Sequence, residues 1–311
     1  MIAFHRVAVP DDPAAAARAV ALLTEIFGQD EGELERRQLS GCELAENADT
    51  LLYAEEDGRT LGTCHMTYCR ETGHGGLSGL CVRPECRGGG VGKTLFGMAV
   101  DAFDETGGAY LYLGTSNPAA ARMYRGFGFA FEAGSNVMYR AKSLSLLSLY
   151  GKDTRPGRVE DATDSLRIGI IPLTLRRGNV FLKDANTGAV DNGFLTQLSC
   201  MGLYPKILSI LQRGGAVKVV KDEATRLPVA LGSAVELDGR RYADVFGVDE
   251  AAGVLPALLG ALCGDGPCCA RLYDGDAAKR ALFASAGFQP GEETRITVNG
   301  IALPCRVWRR G

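Results

Sequence analysis

The sequence predicts an α/β fold in which one mixed sheet, antiparallel at its start, is built twice along the chain. In the first half, apolar runs of strand length alternate with stretches whose apolar residues recur at helical spacing. One of these strands ends in a glycine-rich loop that leads directly into a helix. A similar order of elements returns in the second half, and 311 residues are enough for two domains of ordinary size.

Local signals predict each element of the first half. The Asp57-Gly58 pair between the second and third strands is a strong hairpin signal. Pro13 suits the first turn of a helix, and the residues after it place their apolar side chains on one face. Strands are predicted at 4–9, 51–55, 61–68, 77–82, 109–113, 129–132 and 137–140, and helices at 13–27, 31–38, 91–103 and from 117 onwards.

The loop at 82–94 is the most informative segment and reads Val-Arg-Pro-Glu-Cys-Arg-Gly-Gly-Gly-Val-Gly-Lys-Thr. Backbone N–H groups at a helix start attract an anion, and glycine lets a phosphate approach them closely. A nucleotidase loop of the Walker A type would end in the Gly-Lys-Thr of 92–94, but it requires glycine where Arg87 stands. The alternative pattern Arg-x-x-Gly-x-Gly is complete, with Arg87, Gly90 and Gly92.

A second segment, 115–129, reads Thr-Ser-Asn-Pro-Ala-Ala-Ala-Arg-Met-Tyr-Arg-Gly-Phe-Gly-Phe. Asn117 is a good helix N-cap and Pro118 suits the first helical position. Asn117 and Tyr124 are seven residues apart, about two turns, so they share one face of the predicted helix.

Both segments resemble signature motifs of the GNAT superfamily of acyl-CoA-dependent N-acyltransferases. The first motif of that superfamily is a strand, then Val-x-Pro-Glu-x-Arg-Gly-x-Gly-[Val/Ile]-Gly, then a helix, and the second is Asn-x-x-Ala-x-x-x-Tyr-x-x-x-Gly-Phe. The matching residues are Val82, Pro84, Glu85, Arg87, Gly88, Gly90, Val91 and Gly92 in the first motif, and Asn117, Ala120, Tyr124, Gly128 and Phe129 in the second.

The resemblance implies an N-acetyltransferase that takes acetyl-CoA as donor and a small-molecule or peptide amine as acceptor, with a non-catalytic acyl-CoA sensor or scaffold as the alternative. It implies that Tyr124 donates a proton to the departing thiolate, and a half-buried core aromatic is the other interpretation of this tyrosine. The implied cofactor-binding residues are Arg87, Gly88, Gly89, Gly90, Val91, Gly92 and Lys93 at the pyrophosphate, the backbone of Leu80, Cys81 and Val82 along the pantetheine arm, and Asn117.

The second half resembles the first in its order of elements but lacks the candidate functional residues. Aligning the Gly-Phe pair at 287–288 with that at 128–129 sets Asp276 against Asn117 and Phe283 against Tyr124. The strand predicted at 242–248 runs into its helix with no arginine–glycine loop. We therefore expect tandem GNAT domains with a degenerate second copy, two unrelated α/β domains being the alternative. The expected layout is a catalytic domain at 1–145, a linker at 146–165 and a degenerate domain at 166–311.

No general base is assigned from the sequence. Members of the superfamily often use a Glu on a central strand, and residues 75–82 contain no carboxylate. His65, His74 and Glu85 stay open as candidates, as does a water relay. The acidic stretch within 21–44, which carries Glu31, Glu33 and Glu35, is expected to form one wall of the acceptor site and favours a cationic amine, a solvated helix face being the alternative.

Composition narrows the classes of partner. A net charge of −3 and a pI near 5.8 argue against nucleic-acid binding. Neither a signal peptide nor a membrane span is recognisable, so a cytoplasmic protein with no membrane partner is expected, and a homodimer stays open. Ten cysteines occur without a Cys-x-x-Cys pair and with three histidines, so we expect reduced thiols and no metal. Cysteines expected in core segments are Cys64, Cys81, Cys200, Cys263 and Cys269.

Overall fold

A computed structural model describes residues 1–142, 145–196 and 202–311, so Cys200 lies outside the described residues. The chain divides into two compact units. The first unit comprises Met1–Phe131 with Val137–Ser143, and the second comprises Glu132–Asn136 with Leu144–Gly311. Each unit is built around one seven-stranded mixed sheet, which confirms the predicted α/β class.

The first unit follows the predicted order of elements. Its strands lie in the order β1-β2-β3-β4-β5-β7-β6, in which the β4–β5 pair is parallel and every other pair is antiparallel. The strands are β1 (Ala3–Ala8), β2 (Asn47–Glu56), β3 (Arg59–Cys69), β4 (His74–Val82), β5 (Tyr110–Gly114), β6 (Ala130–Phe131) and β7 (Val137–Ala141). The helices are α1 (Pro13–Phe27), α2 (Gln29–Leu39), α3 (Val91–Glu105) and α4 (Pro118–Arg125).

Helices cover both faces of this first sheet, because β2 alternates its buried side chains between two cores. Leu52 belongs to the core beneath α3 and α4, and Leu51 belongs to the core beneath α1. The start of α1 is set by Asp12, whose carboxylate accepts a hydrogen bond from Ala15 N at 2.8 Å. The helix ends at Gly28, whose φ of 103° suits glycine.

The second unit repeats the strand order of the first. Its sheet runs β8-β11-β12-β13-β14-β16-β15, again with one parallel pair, β13–β14, in the same place. The strands are β8 (Pro156–Asp161), β9 (Leu182–Asp184), β10 (Ala189–Val190), β11 (Ala216–Asp222), β12 (Pro228–Leu237), β13 (Arg240–Gly247), β14 (Cys268–Tyr273), β15 (Gln289–Val298) and β16 (Ile301–Arg310), of which β9 and β10 form a separate pair. The helices are α5 (Leu166–Leu175), α6 (Gly193–Thr196), α7 (Tyr204–Gln212), α8 (Leu255–Cys263) and α9 (Ala277–Ser285).

One difference from the expected layout concerns β8. This strand lies within 146–165, the stretch expected to be a linker, and it is the edge strand of the second sheet, paired with β11. The segment shows no run of apolar side chains, because an edge strand is held by backbone pairing on one side and buries little. Within the described residues, no helix combines the length and apolarity that crossing a membrane requires.

Candidate functional site

The two parallel strands of the first unit separate towards their C-terminal ends. β4 and β5 pair at three positions, His74 with Tyr110, Gly75 with Leu111 and Gly76 with Tyr112, and the pairing stops there. Beyond Gly76, β4 continues to Val82 and pairs with β3 on its other side. One backbone edge of β4 therefore faces the space between the strands, where an extended ligand can add as a strand. Leu80, Cys81 and Val82, the predicted pantetheine-binding residues, lie on this part of β4.

A β-bulge interrupts β4 in the same stretch. Ser78 is opposite His65 and Cys81 is opposite Thr63, so Gly79 and Leu80 together face a single β3 residue. Gly79 has a φ of 60°, and its carbonyl accepts a hydrogen bond from Thr63 Oγ1 at 2.8 Å. The bulge re-aims the backbone of β4 just before the strand reaches the glycine loop.

The glycine loop leaves β4 through a short 3₁₀ turn and leads into α3. Gly88 and Gly90 have φ values of 83° and 87°, and a β-carbon at either position would meet no atom of the described chain within 4 Å. Gly90 is the N-cap of α3, and no described side chain caps this helix. The first N–H groups of α3 are thus open to an anion at the positive end of the helix dipole. Gly88, Gly89, Gly90 and Lys93 are all exposed, as the predicted phosphate site requires.

The other residues predicted near this loop have structural partners of their own. The exposed Arg87 donates a hydrogen bond from Nε to Val82 O at 3.0 Å, which closes the loop against the end of β4. Val91 is buried beneath the loop at the start of α3. Cys81 is also buried, with its Sγ 3.2 Å from Thr63 Oγ1, and burial raises the pKa of its thiol to about 11. The Cys81 sulfur is therefore a neutral thiol near pH 7 and not a nucleophile.

Asn117 and Tyr124 lie on α4, as predicted. Asn117 caps this helix, since its Oδ1 accepts hydrogen bonds from Ala119 N at 2.9 Å and Ala120 N at 3.3 Å. Tyr124 is 8% exposed, and its ring lies 4.5 Å from that of Phe96 on α3, between centroids. Its aromatic ring thus belongs to the core beneath α3, so both interpretations of this tyrosine keep physical support.

The structure brings His65 into a buried ionic cluster on the α1–α2 side of the sheet. His65 Nδ1 lies 2.9 Å from Glu35 Oε1, and His65 Nε2 lies 2.8 Å from Asp49 Oδ1. Thr67 Oγ1 also donates to Asp49 Oδ1 at 2.7 Å. Burial alone would lower the pKa of His65, but Glu35 and Asp49 raise it to about 9. His65 is therefore a cation near neutral pH and cannot accept a proton there.

The remaining base candidates lie in unrelated surroundings. His74 is buried at the start of β4, where Tyr112 Oη lies 3.0 Å from its Nδ1, and burial lowers its pKa to about 4. Glu85 is exposed beside the glycine loop and pairs with Arg59 at 2.6 Å. His65, His74 and Glu85 therefore do not form one catalytic group.

At the corresponding place in the second unit, β13 and β14 pair at one position, Tyr242 with Cys269. Next to it, the chain's own segment 181–187 contacts both strands. Asn186 donates from Nδ2 to Tyr242 O at 3.1 Å and accepts a hydrogen bond from Arg271 of β14 at 3.2 Å. Ala185 N donates to Asp244 Oδ2 on β13 at 2.8 Å.

Among the described residues, the glycine loop and the helix cap of the first unit have no counterpart in the second. A 3₁₀ turn, Asp249–Val254, leads from β13 into α8. Asp276 precedes α9 without capping it, because its carboxylate accepts hydrogen bonds from Phe181 N at 2.6 Å and Leu182 N at 2.9 Å. Phe283 is fully buried and packs on Phe288, with ring centroids 5.0 Å apart.

The strand fork and the uncapped, glycine-lined helix start of the first unit have a shape and polarity that suit an extended, phosphate-bearing ligand. Residues 17–129 match the model of the acetyltransferase (GNAT) family. A curated relative, the mycothiol acetyltransferase of Streptomyces avermitilis, is 31% identical over 142 residues. That match covers 44% of this chain and 46% of the relative, so it spans about half of each protein.

Solved structures of acetyltransferases also resemble the chain. One is an acetyltransferase of the GNAT family from Staphylococcus aureus, 15% identical, which covers 45% of this chain and 99% of its own, with a TM-score of 0.38. Another is a phosphinothricin acetyltransferase of the GNAT superfamily from Sinorhizobium meliloti in complex with AcCoA. It is 17% identical and covers 49% of this chain and 86% of its own, with a TM-score of 0.37.

The buried cluster is the part of this unit that sequence patterns do not assemble. Its members come from α2, β2 and β3, and Asp49 was not predicted as a site residue. A sequence signal exists for α2 alone, where Glu31, Glu35 and Gln38 recur at helical spacing on one face. Of the three acidic residues expected to form an acceptor wall, Glu35 is buried and Glu31 is half-buried. Glu33 is exposed on the opposite side of α2, so it does not belong to that wall.

Proposed function

We propose that this protein is an N-acetyltransferase that transfers the acetyl group of acetyl-CoA to a primary amine, with its active site in the first unit. One observation carries the proposal. The uncapped, glycine-lined start of α3 lies at the end of a strand whose backbone edge is exposed by the fork between β4 and β5. An anion site joined to a strand edge fits a ligand that has a pyrophosphate at one point and an amide-bearing arm at the next.

The first unit fits acetyl-CoA on structural grounds as well as by family. The open space around Gly88 and Gly90 leaves their backbone accessible to a phosphate. Bound acetyl-CoA supplies an acetyl group activated as a thioester. In our proposal, the N–H groups of 88–93 bind the pyrophosphate, the edge of β4 at 80–82 orients the arm, and Asn117 shapes the entrance through its cap of α4.

Tyr124 is proposed as the acid that protonates the departing thiolate. We expect Tyr124→Phe to lower kcat more than about tenfold, because the phenolic proton is lost. The binding of acetyl-CoA should persist, since the ring that packs on Phe96 is retained. Steady-state kinetics and calorimetry measure both quantities. Wild-type turnover in this variant would remove Tyr124 from the mechanism.

The acceptor is proposed to be a small-molecule or peptide amine. Because the curated relative is named a mycothiol acetyltransferase, des-acetyl mycothiol belongs in the acceptor panel beside glucosamine, 1,4-diaminobutane and a peptide with a free N-terminus. The test is the release of CoA thiol from acetyl-CoA in the presence of each amine. Release above the hydrolysis background supports the enzyme. Tight binding of acetyl-CoA with no release from any amine would support the alternative, a non-catalytic acyl-CoA sensor.

A further inference from the structure

The inner face of α2 packs against the sheet of the first unit and buries polar side chains beside the apolar Leu39. Glu31, Glu35 and Gln38 lie at helical spacing on this face. Glu35 and Gln38 are 4% and 0% exposed, whereas Glu33, on the other side of the same helix, is exposed. A helix that packs on a sheet normally buries apolar side chains, so this face requires another explanation.

The carboxylate of Glu35 lies directly beside the bulge of β4. A β-carbon built on Gly79 would be 3.1 Å from Glu35 Oε1. Gly79 immediately precedes Leu80, the first of the residues proposed to hold the acyl arm. The carboxylate is thus adjacent to the strand along which the proposed donor lies.

The electrostatics of this cluster favour a cation. The buried carboxylates of Glu35 and Asp49 flank the imidazole of His65, which carries one positive charge when protonated. Glu31, one turn before Glu35, is half-buried, and burial together with Glu35 raises its pKa. The cluster therefore holds an excess of negative charge, and a cationic ligand compensates it.

A second, independent observation points to a ligand on the same face of α2. The amide of Gln38 is fully buried, and neither its Nε2 nor its Oε1 forms a hydrogen bond with a described residue. Buried polar groups are rarely left without partners, and those that are often belong to binding sites.

We propose that Glu35 accepts the proton of the acceptor ammonium, and that the inner face of α2 binds a cationic amine carrying a polar group that hydrogen-bonds Gln38. The inference rests on the proposed acetyltransferase function and names its missing base and its class of acceptor. His65 is a positioning residue, because Asp49 holds it as a cation whose charge fixes the Glu35 carboxylate. Glu35 lies on a helix and not on a central strand, where residues 75–82 carry no carboxylate.

The proposed transfer consumes one ammonium group and one thioester. One proton of the ammonium passes to the Glu35 carboxylate, and the freed nitrogen lone pair forms a bond to the carbonyl carbon of the thioester. The carbon–sulfur bond breaks, and the thiolate takes the phenolic proton of Tyr124. Tyr124 recovers a proton from the same nitrogen, and Glu35 releases its proton to solvent. The products are the amide, the CoA thiol and one proton.

The titratable groups that face Glu35 come from four elements. His65 and Asp49 lie on β3 and β2, and Glu31 lies on α2 itself. The thiols of Cys64 on β3 and Cys81 on β4 stay neutral, because burial raises the pKa of each. Glu35 therefore borders the β4 bulge with its Oε1, which also lies 2.9 Å from His65 Nδ1.

The test compares Glu35→Gln with Glu33→Gln, an isosteric change on the exposed side of the same helix. With the best amine of the panel, Glu35→Gln should lower kcat/KM about a hundredfold or more. The decrease of kcat/KM towards acidic pH that wild type shows should also be absent in this variant. Glu33→Gln should stay within about twofold of wild type. Both variants should bind acetyl-CoA as wild type does, which also shows that they are folded. An unchanged pH profile in Glu35→Gln would overturn the inference.

A binding measurement provides a readout that does not depend on turnover. The same amine is titrated by calorimetry into protein saturated with CoA, which cannot transfer an acetyl group. Its affinity should fall about tenfold in Glu35→Gln and stay unchanged in Glu33→Gln, because only the first loses the carboxylate that faces the cation. Equal affinities in the two variants contradict the proposed site.

Two further outcomes keep the inference separate from the proposed function. If wild type transfers no acetyl group, yet the amine binds more weakly to Glu35→Gln, the function fails and the amine site stands. If Glu35→Gln does not fold, Glu35→Asp decides the matter. The shorter carboxylate should keep the acidic limb and lower kcat about tenfold, whereas wild-type kcat would refute a role for Glu35.

Discussion

The charge of His65 couples the stability of the first unit to pH. In the folded protein both ring nitrogens face carboxylates, Nδ1 that of Glu35 and Nε2 that of Asp49. Burial works against the cation, yet these two charges raise its pKa from 6.5 to about 9. A raised pKa means that the folded state binds the proton more tightly than the unfolded chain.

The size and the pH window of this effect follow from the two pKa values. The stabilisation is fully present below pH 6.5, where the imidazole is charged in both states. It is lost as the pH rises through about 9, where the folded protein also releases the proton. The difference between 6.5 and about 9 corresponds to about 3 kcal/mol of unfolding free energy.

The assay is urea unfolding of the full chain and of its His65→Gln variant between pH 6 and 10. Far-UV circular dichroism follows both units, and fluorescence follows the second, because the single tryptophan, Trp308, lies in β16. The loss of stability in wild type should occur in the transition that Trp308 does not report. The variant should be less stable at pH 6, since it leaves two buried carboxylates without their cation.

The comparison of pH slopes decides the outcome, since thiols, tyrosines and lysines titrate alike in both proteins above pH 8. Subtracting the His65→Gln profile from that of wild type should leave a fall of about 3 kcal/mol centred between 6.5 and 9. Glu35→Gln should narrow this window, because one of the two charges that raise the pKa is gone. Parallel profiles for wild type and His65→Gln would show that the imidazole is not charged in the folded protein.

Three further predictions concern the loop, the second unit and the other buried histidine. Gly88→Ala and Gly107→Ala should each lower the unfolding free energy by about 1 kcal/mol, because both glycines have positive φ and open surroundings. In calorimetry, only Gly88→Ala should weaken acetyl-CoA binding, by about tenfold. Equal affinities of the two variants for acetyl-CoA would show that the loop does not bind the cofactor. Calorimetry should also give one bound acetyl-CoA per chain. A stoichiometry of two would refute the prediction that the second unit does not bind acetyl-CoA. Because burial lowers the pKa of His74 to about 4, the unfolding free energy of wild type should fall by about 3 kcal/mol between pH 6.5 and 4. In His74→Gln, the urea midpoint should not show the corresponding decrease.

Local patterns predicted much of the first unit. The helix predicted at 13–27 is observed as Pro13–Phe27, because an N-cap, a first-turn proline and an apolar face are all contained in the segment itself. The glycine loop is predictable for the same reason, since positive φ and an open helix start belong to a few adjacent residues. The predicted cap at Asn117 also forms, with the side chain accepting from two helix amides.

Tertiary packing decided the features that depend on distant residues. The gap between β4 and β5 arises because two strands separate after three paired positions, and no residue of either strand encodes that on its own. The sequence pattern did not predict β8, because an edge strand can pair with β11 without a run of apolar side chains. The segment 181–187, which crosses the corresponding gap in the second unit, lies more than fifty residues before β13.

By itself, the sequence determined the α/β class, the position of the glycine loop and the absence of that loop from the second half. Only the tertiary structure decided which of the polar residues act together. Glu35, Asp49 and His65 are separated along the chain and meet because α2 packs over β2 and β3. Their charges then alter one another at distances near 3 Å in a buried environment, where electrostatic interactions are strong.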